Sequence, residues 1–216
     1  MIRRTFDDLY DTMPWDQIDN VVFDVGNVLL KFDPDDIVST YAPEVTGKLR
    51  EKLLERVFNS SYWGMLDYGI ASFDEITEAM IGDDPELEAP VRAIMAGWPE
   101  MKGVLPEGVA VLKKCSAMGK KLVVLSNYHD RSFSVVDEKY DFFRLFDHKV
   151  ISSRVLMMKP DPDIYHHAEL ACGLEPARTL FIDDSPINIT VALACGWQGI
   201  CYRKPGMLAR FFGVEV

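Results

Sequence analysis

The sequence predicts an α/β fold in which a parallel-sheet core carries an inserted, all-helical cap, and three observations lead there. Short apolar runs without alternation recur and end abruptly in polar residues: Val21-Val22-Phe23 before Asp24, Lys121 to Leu125 before Ser126-Asn127, and Thr179 to Ile182 before Asp183-Asp184. Runs of this kind suit strands buried on both faces of a parallel sheet. Helical periods lie between them, and strand–helix alternation implies right-handed crossovers. From about Asp35 to Lys102 the alternation stops, and only helical patterns remain.

Taken in order, residues 1–19 form an N-terminal extension whose Asp7, Asp8, Asp11, Asp16 and Asp19 read as a solvated acidic face. The first strand follows at Val21. The block after it holds helices over Thr46 to Phe58, Ser72 to Ile81 and Pro85 to Met95, the second opened by a Ser72/Glu75 capping box. Val111, Leu112, Cys115 and Met118 recur at helical spacing, and Gly119 sits where that helix ends. Beyond the strand at Lys121, weaker strands are expected at Lys149 to Ile151 and Gly199 to Tyr202. Helices are expected at Asp163 to Cys172 and Asn188 to Ala194, the latter closed by Gly196. These readings divide the chain into a core of residues 1–34 and 103–216 and a cap of residues 35–102.

The 216 residues suit one domain plus a lid, at ~150 residues per domain. A formal charge of −11 argues against nucleic acid or an anionic membrane as partner, since polyanions are repelled. No apolar run approaches the ~18 residues of a membrane span. The start turns acidic at Asp7-Asp8 where a leader would turn apolar, so export is not expected. Cys115, Cys172, Cys195 and Cys201 form no CxxC pair and read as reduced thiols, which places the protein in the cytoplasm. Nothing in the sequence fixes an oligomeric state.

In open α/β sheets ligands bind beyond the carboxyl ends of the strands. Three strands deliver Asp24, Ser126-Asn127 and Asp183-Asp184 there, and Lys159 precedes a helix in Met158-Lys159-Pro160-Asp161-Pro162. Three neighbouring carboxylates repel one another unless a cation sits among them. Hard oxygen donors with few nitrogens point to Mg²⁺, which also engages substrate phosphate.

Four motifs in this order resemble the haloacid dehalogenase superfamily of phosphohydrolases across residues 20–205. They are Phe23-Asp24-Val25-Gly26-Asn27-Val28-Leu29, Leu125-Ser126-Asn127, Lys159-Pro160-Asp161-Pro162-Asp163-Ile164-Tyr165 and Phe181-Ile182-Asp183-Asp184-Ser185-Pro186-Ile187-Asn188. The resemblance implies a Rossmann-like core and a helical cap of that family's first type. It implies Asp24 as the nucleophile that forms an aspartyl-phosphate, with Lys159 neutralising charge during transfer. Ser126 and the Asn127 backbone amide would hold phosphoryl oxygens, with Asn27 a further phosphate-side candidate. Asp24, Asp184, the Gly26 carbonyl and Asp183 would hold Mg²⁺, the last directly or through water, with Asn188 in support. The implied function is a Mg²⁺-dependent phosphatase for a small phosphorylated metabolite, sugar phosphates among them.

Gly26 departs from the family's commonest pattern, in which a second aspartate two residues after the nucleophile protonates the leaving oxygen. The Gly-Asn variant is similar to a bacterial subgroup that includes α-glucose-1-phosphate phosphatase, so glycine alone does not mean inactivity. Asp33 is the expected substitute if residues 25–34 form a flap, with Asp67, His129 or a substrate hydroxyl as other sources. Two alternatives stand beside the phosphatase. A 2-haloacid dehalogenase would use the same nucleophile without metal, but such enzymes lack the acidic pair that Asp183-Asp184 supplies. A catalytically silent sensor of a phosphorylated ligand has only Gly26 in its favour. Trp63, Tyr68 and Trp98 are expected in the cap core, His166 and His167 in structural or surface roles, and Lys31, Arg131 and Lys159 as the nearest cations.

Overall fold

A computed structural model describes residues 15–100 and 103–215. The first fourteen residues of the extension, with Asp7, Asp8 and Asp11, and the boundary residue Lys102 lie outside the described residues. Of the acidic set, Asp19 is ion-paired with Arg178 rather than merely solvated.

Five parallel strands form the sheet: β1 (Asn20–Phe23), β2 (Lys121–Ser126), β3 (His148–Ile151), β4 (Thr179–Asp183) and β5 (Gln198–Cys201), in the order β3-β2-β1-β4-β5. Both faces are buried, which explains the unbroken apolar runs. Val21, Phe23, Leu122, Val124, Leu180 and Ile182 face one layer, which α6 (Pro106–Ala117), α7 (Asp130–Lys139) and α11 (Met207–Phe212) cover. Val22, Val123, Leu125 and Phe181 face the other, under α9 (Pro162–Cys172) and α10 (Pro186–Ala194). Order reverses at β1, which pairs with β2 on one side and β4 on the other. That is a topological switch point, where a crevice opens beyond the strand ends.

Between β1 and β2 the chain makes α1 (Pro34–Tyr41), α2 (Gly47–Val57), α3 (Ser61–Tyr68), α4 (Phe73–Ile81) and α5 (Pro85–Gly97). These helices bury their own apolar cluster, including Val38, Leu53, Leu66, Met80, Val91 and Trp98. The capping box forms as expected: the Glu75 amide donates to Ser72 Oγ at 3.2 Å and the Ser72 amide to Glu75 Oε2 at 2.9 Å. Outgoing and returning connections run side by side, the Lys31 amide donating to the Gly103 carbonyl at 2.6 Å and the Leu105 amide to the Leu29 carbonyl at 2.8 Å. Sequence patterning did not reveal α1, α3, α7 or α11. Met118, expected on a buried face, is 43% exposed because α6 ends at Ala117 and Met118 already belongs to the turn.

Candidate active site

The register fixes which strand ends meet. Phe23 is level with Val124 and with Ile182, so the next residue, Asp24, stands beside Leu125 and Asp183. Ser126 lies one residue further along, and its hydroxyl donates to Asp24 Oδ1 at 2.7 Å. Lys159 arrives from the turn before α9 with its ammonium 3.0 Å from Asp24 Oδ1 and 2.7 Å from Asp183 Oδ2. All four side chains are buried.

Asp183 is saturated. Besides Lys159 it accepts the Ser185 amide at 2.7 Å and the Asn188 side-chain amide at 3.0 Å on each oxygen. It therefore serves as both lysine partner and brace for the start of α10, where Pro186 occupies the first turn. Asn127, expected on the phosphate, has its side chain committed elsewhere: Nδ2 donates to the Lys159 carbonyl and Oδ1 accepts the Lys159 amide, both at 2.8 Å. That pair clamps the lysine's backbone and leaves to the Asn127 backbone amide the role expected of it. Asn27, the further phosphate-side candidate, lines the cavity over this cluster. It adopts left-handed backbone, with φ of 53°, which asparagine tolerates better than most residues. From there Nδ2 donates to Asp184 Oδ2 at 3.1 Å, and Oδ1 accepts the Phe32 amide at 3.0 Å. Its amide thus orients Asp184.

Asp24, Asp183 and Asp184 each offer an oxygen within 4.8 Å of the others. With Lys159 among them the formal charge is −2. Burial, with the Asp183 charge, pushes the Asp24 carboxyl up to about 6 against the opposing pull of Lys159 and Ser126. Burial would lower Lys159, but Asp24 and Asp183 outweigh it and hold the ammonium above its ordinary value. Asp184 is also raised, chiefly by burial, although the Asn27 amide works the other way. An all-oxygen donor set with excess negative charge suits a hard divalent cation.

A cavity of about 270 Å³ opens over this cluster between core and cap. Asp24, Gly26, Ser126, Asn127, Lys159 and Asp184 line its floor. Its roof includes Phe32, Trp63, Asp67, Trp98 and Tyr128. Trp63 and Trp98 have ring centroids 4.8 Å apart, and Trp98 stacks on Tyr128 at 5.9 Å. Both tryptophans are therefore cap core and cavity wall at once, whereas Tyr68 is 37% exposed and lines no part of it.

The structure also separates the candidate proton carriers. Asp33 caps α1, accepting the Asp35 and Asp36 amides at 3.0 and 3.3 Å, and pairs with Lys31. It lies outside the cavity lining, so the expected flap residue is a helix cap. His129 has its ring 5.4 Å from Phe73 and also falls outside, as does Arg131, which covers Phe73. Asp67 does line the cavity, and its enclosure, with the charge of Asp24, pushes its carboxyl up to about 7. A side chain built at Gly26 would meet nothing within 4 Å. The aromatic walls at Phe32 and Tyr128 went unnoticed in the sequence; only the position of Tyr128, directly after Ser126-Asn127, signalled one of them.

Comparison with known proteins places this geometry. The family model for haloacid dehalogenase-like hydrolases matches residues 18–196. A sesquiterpene phosphatase from Aspergillus oryzae is 26% identical over 83% of this chain and 87% of its own. A (S)-2-haloacid dehalogenase from Pseudomonas putida is 25% identical over 86% and 85%. Among solved structures, an enzyme of the same family from Bacteroides thetaiotaomicron, in complex with magnesium and inorganic phosphate, superposes with a TM-score of 0.66. It is 21% identical, over 88% of this chain and 96% of that one.

Proposed function

The chain belongs to the haloacid dehalogenase-like hydrolases, and on that premise we propose that it is a Mg²⁺-dependent phosphatase of small phosphorylated metabolites working through an aspartyl-phosphate. The observation that carries this reading is the Asp24–Asp183–Asp184 cluster around a single lysine, which leaves two uncompensated negative charges facing the cavity. Magnesium held by Asp24, Asp184 and the Gly26 carbonyl would offset the charge of a bound phosphoryl group. A dehalogenase working on an uncharged carbon centre has no use for that excess, although two of the relatives carry that activity.

The residues then divide the work. Ser126 and Lys159 both hold Asp24 Oδ1, which fixes the carboxylate plane and leaves Oδ2 for the substrate side. The Asn127 clamp keeps Lys159 in place, so its charge is preorganised where the equatorial phosphoryl oxygens gather. Asn27 and Asn188 set Asp184 and Asp183 in turn. The ring walls of Trp63, Trp98 and Tyr128 favour a leaving group with an apolar or planar face over a bare polyol. The sugar phosphates expected from sequence therefore share the field with aryl and prenyl phosphates. Four free thiols fit a reducing, cytoplasmic setting.

The test is phosphate release from a panel of sugar, aryl and prenyl phosphates and nucleotides, with Mg²⁺ or EDTA, beside an Asp24→Asn control. Release that needs Mg²⁺ and disappears in the control is the expected result. Halide release from 2-chloropropionate that survives EDTA would overturn the phosphatase in favour of the dehalogenase.

A further inference from the structure

The floor of the cavity lacks a proton donor for the leaving group. The position two residues after Asp24 is Gly26, with empty space where a side chain would stand. Asp33 is occupied as a helix cap. Lys159 is committed to two carboxylates as their counter-charge, its ammonium engaged by Asp24 and Asp183.

The cap supplies a carboxyl instead. Asp67 is the penultimate residue of α3 and lines the same cavity as Asp24 and Gly26. Its backbone is fastened to the core: the Ser152 hydroxyl donates to the Asp67 carbonyl at 2.5 Å and accepts the Tyr128 amide at 2.9 Å. Two residues on, Gly69 turns with φ of 79° so close to α8 (Ser152–Val155) that a Cβ there would lie 2.5 Å from the Ser153 carbonyl. The third helix of the cap is thus docked on the core at its carboxyl end, and Asp67 is held at a set place relative to Asp24.

Resting on the phosphatase reading above, we propose that Asp67, delivered from the cap, is the general acid and base of this site in place of the aspartate absent at position 26. In the first step an Asp24 oxygen–phosphorus bond forms as the phosphorus–oxygen bond to the leaving group breaks, and the Asp67 proton passes to the departing oxygen. In the second, water loses a proton to Asp67 and adds to phosphorus, releasing phosphate and restoring Asp24. Proton count and charge return to their starting values.

The surroundings favour a carboxyl that is partly protonated near neutrality. Enclosure raises it, the Asp24 charge adds to this, and hydrogen bonding from Trp63 and the Lys159 charge oppose it. Tyr128, Lys31 and Asp184 are the other ionisable groups lining the cavity.

Leaving-group dependence tests the assignment. 4-Nitrophenolate departs without a proton, whereas an alkoxide needs one. In Asp67→Asn, kcat/KM for an alkyl phosphate is expected to fall about 10²–10⁴-fold. With 4-nitrophenyl phosphate the variant should instead give a burst of nitrophenolate, followed by phosphoenzyme accumulation visible in the intact mass. Gly26→Asp added to Asp67→Asn should recover alkyl phosphate turnover, because the position is open. Equal losses on both esters with no phosphoenzyme, or no loss on either, would overturn the proposal. A wild-type chain that forms no phosphoenzyme would instead sink the phosphatase reading on which it rests. A melting curve for Asp67→Asn matching that of the wild type, or lying above it, separates chemistry from misfolding.

Discussion

The two walls of the active-site cavity are built on opposite plans. On the core side nearly every polar atom is matched: Asp183 takes hydrogen bonds from Lys159, Ser185 and Asn188, and the side chains of Asn27 and Asn127 each use both ends. On the cap side aromatic rings dominate, and the buried Trp98 Nε1 has no partner among the described residues. A saturated network holds one geometry, which reaction chemistry requires. Apolar walls with an unclaimed donor are complementary to part of a ligand instead. Under the proposed function the floor would carry the reaction and the roof would select what is brought to it, with Asp67 as the exception that crosses over.

Substitutions can break that contrast, and the largest effect belongs on the floor. Asp24→Asn should reduce turnover by on the order of 10⁴–10⁶-fold and abolish the phosphoenzyme in mass spectra. Lys159→Met leaves Asp24 and Asp183 buried without their cation. That should cost about 3–5 kcal/mol of stability, read as a fall in Tm on the order of 10 °C. On the roof, Phe32→Leu should raise KM for the best substrate roughly tenfold while kcat and phosphoenzyme formation persist, because only ground-state contact is removed.

The pH dependence sharpens the comparison further. Asp67 has its folded pKa raised to about 7 from 3.8, so ionising it costs folded-state stability. Stability of the metal-free protein should therefore decline as pH rises through the window between those values, the loss being complete above about 7. Asp67→Asn removes this contribution, and its Tm at pH 8 should exceed that of the wild type by on the order of 10 °C, measured by scanning calorimetry. The smallest effect is that of Asp33→Ala, which deletes the cap of α1. It should cost about 1 kcal/mol and leave the pH–rate profile unchanged.

Most of the floor was legible in the sequence because a buried parallel strand announces itself as an unbroken apolar run, and the residue that ends the run lies at the ligand side. Asp24, Ser126 and Asp183 follow from that rule alone. The directions of the two asparagine side chains do not, since each depends on a partner more than thirty positions away: Asn127 on Lys159, Asn27 on Asp184. The cap was harder. Helix α3, Ser61–Tyr68, is eight residues long, contains Gly64 and carries aromatic residues around much of its circumference, so no clean 3.6-residue period shows. Asp33 looked like the better proton carrier because it is near Asp24 in the chain, but Pro34 behind it starts a helix and turns it into a cap. Proximity along the chain was outweighed by the docking of α3, which no local pattern encodes.

That docking bears on how such a protein can diversify. Helical inserts are attractive units to exchange, because they join their host through only two connections. Here a third attachment exists where Ser152 grips the Asp67 carbonyl and Gly69 slides under the Ser153 carbonyl. A transplanted insert would have to present a carbonyl and a glycine two residues apart at matching places, or it would sit askew over the floor. New specificities in this lineage are therefore more accessible by changing single rings of the roof than by shuffling whole inserts.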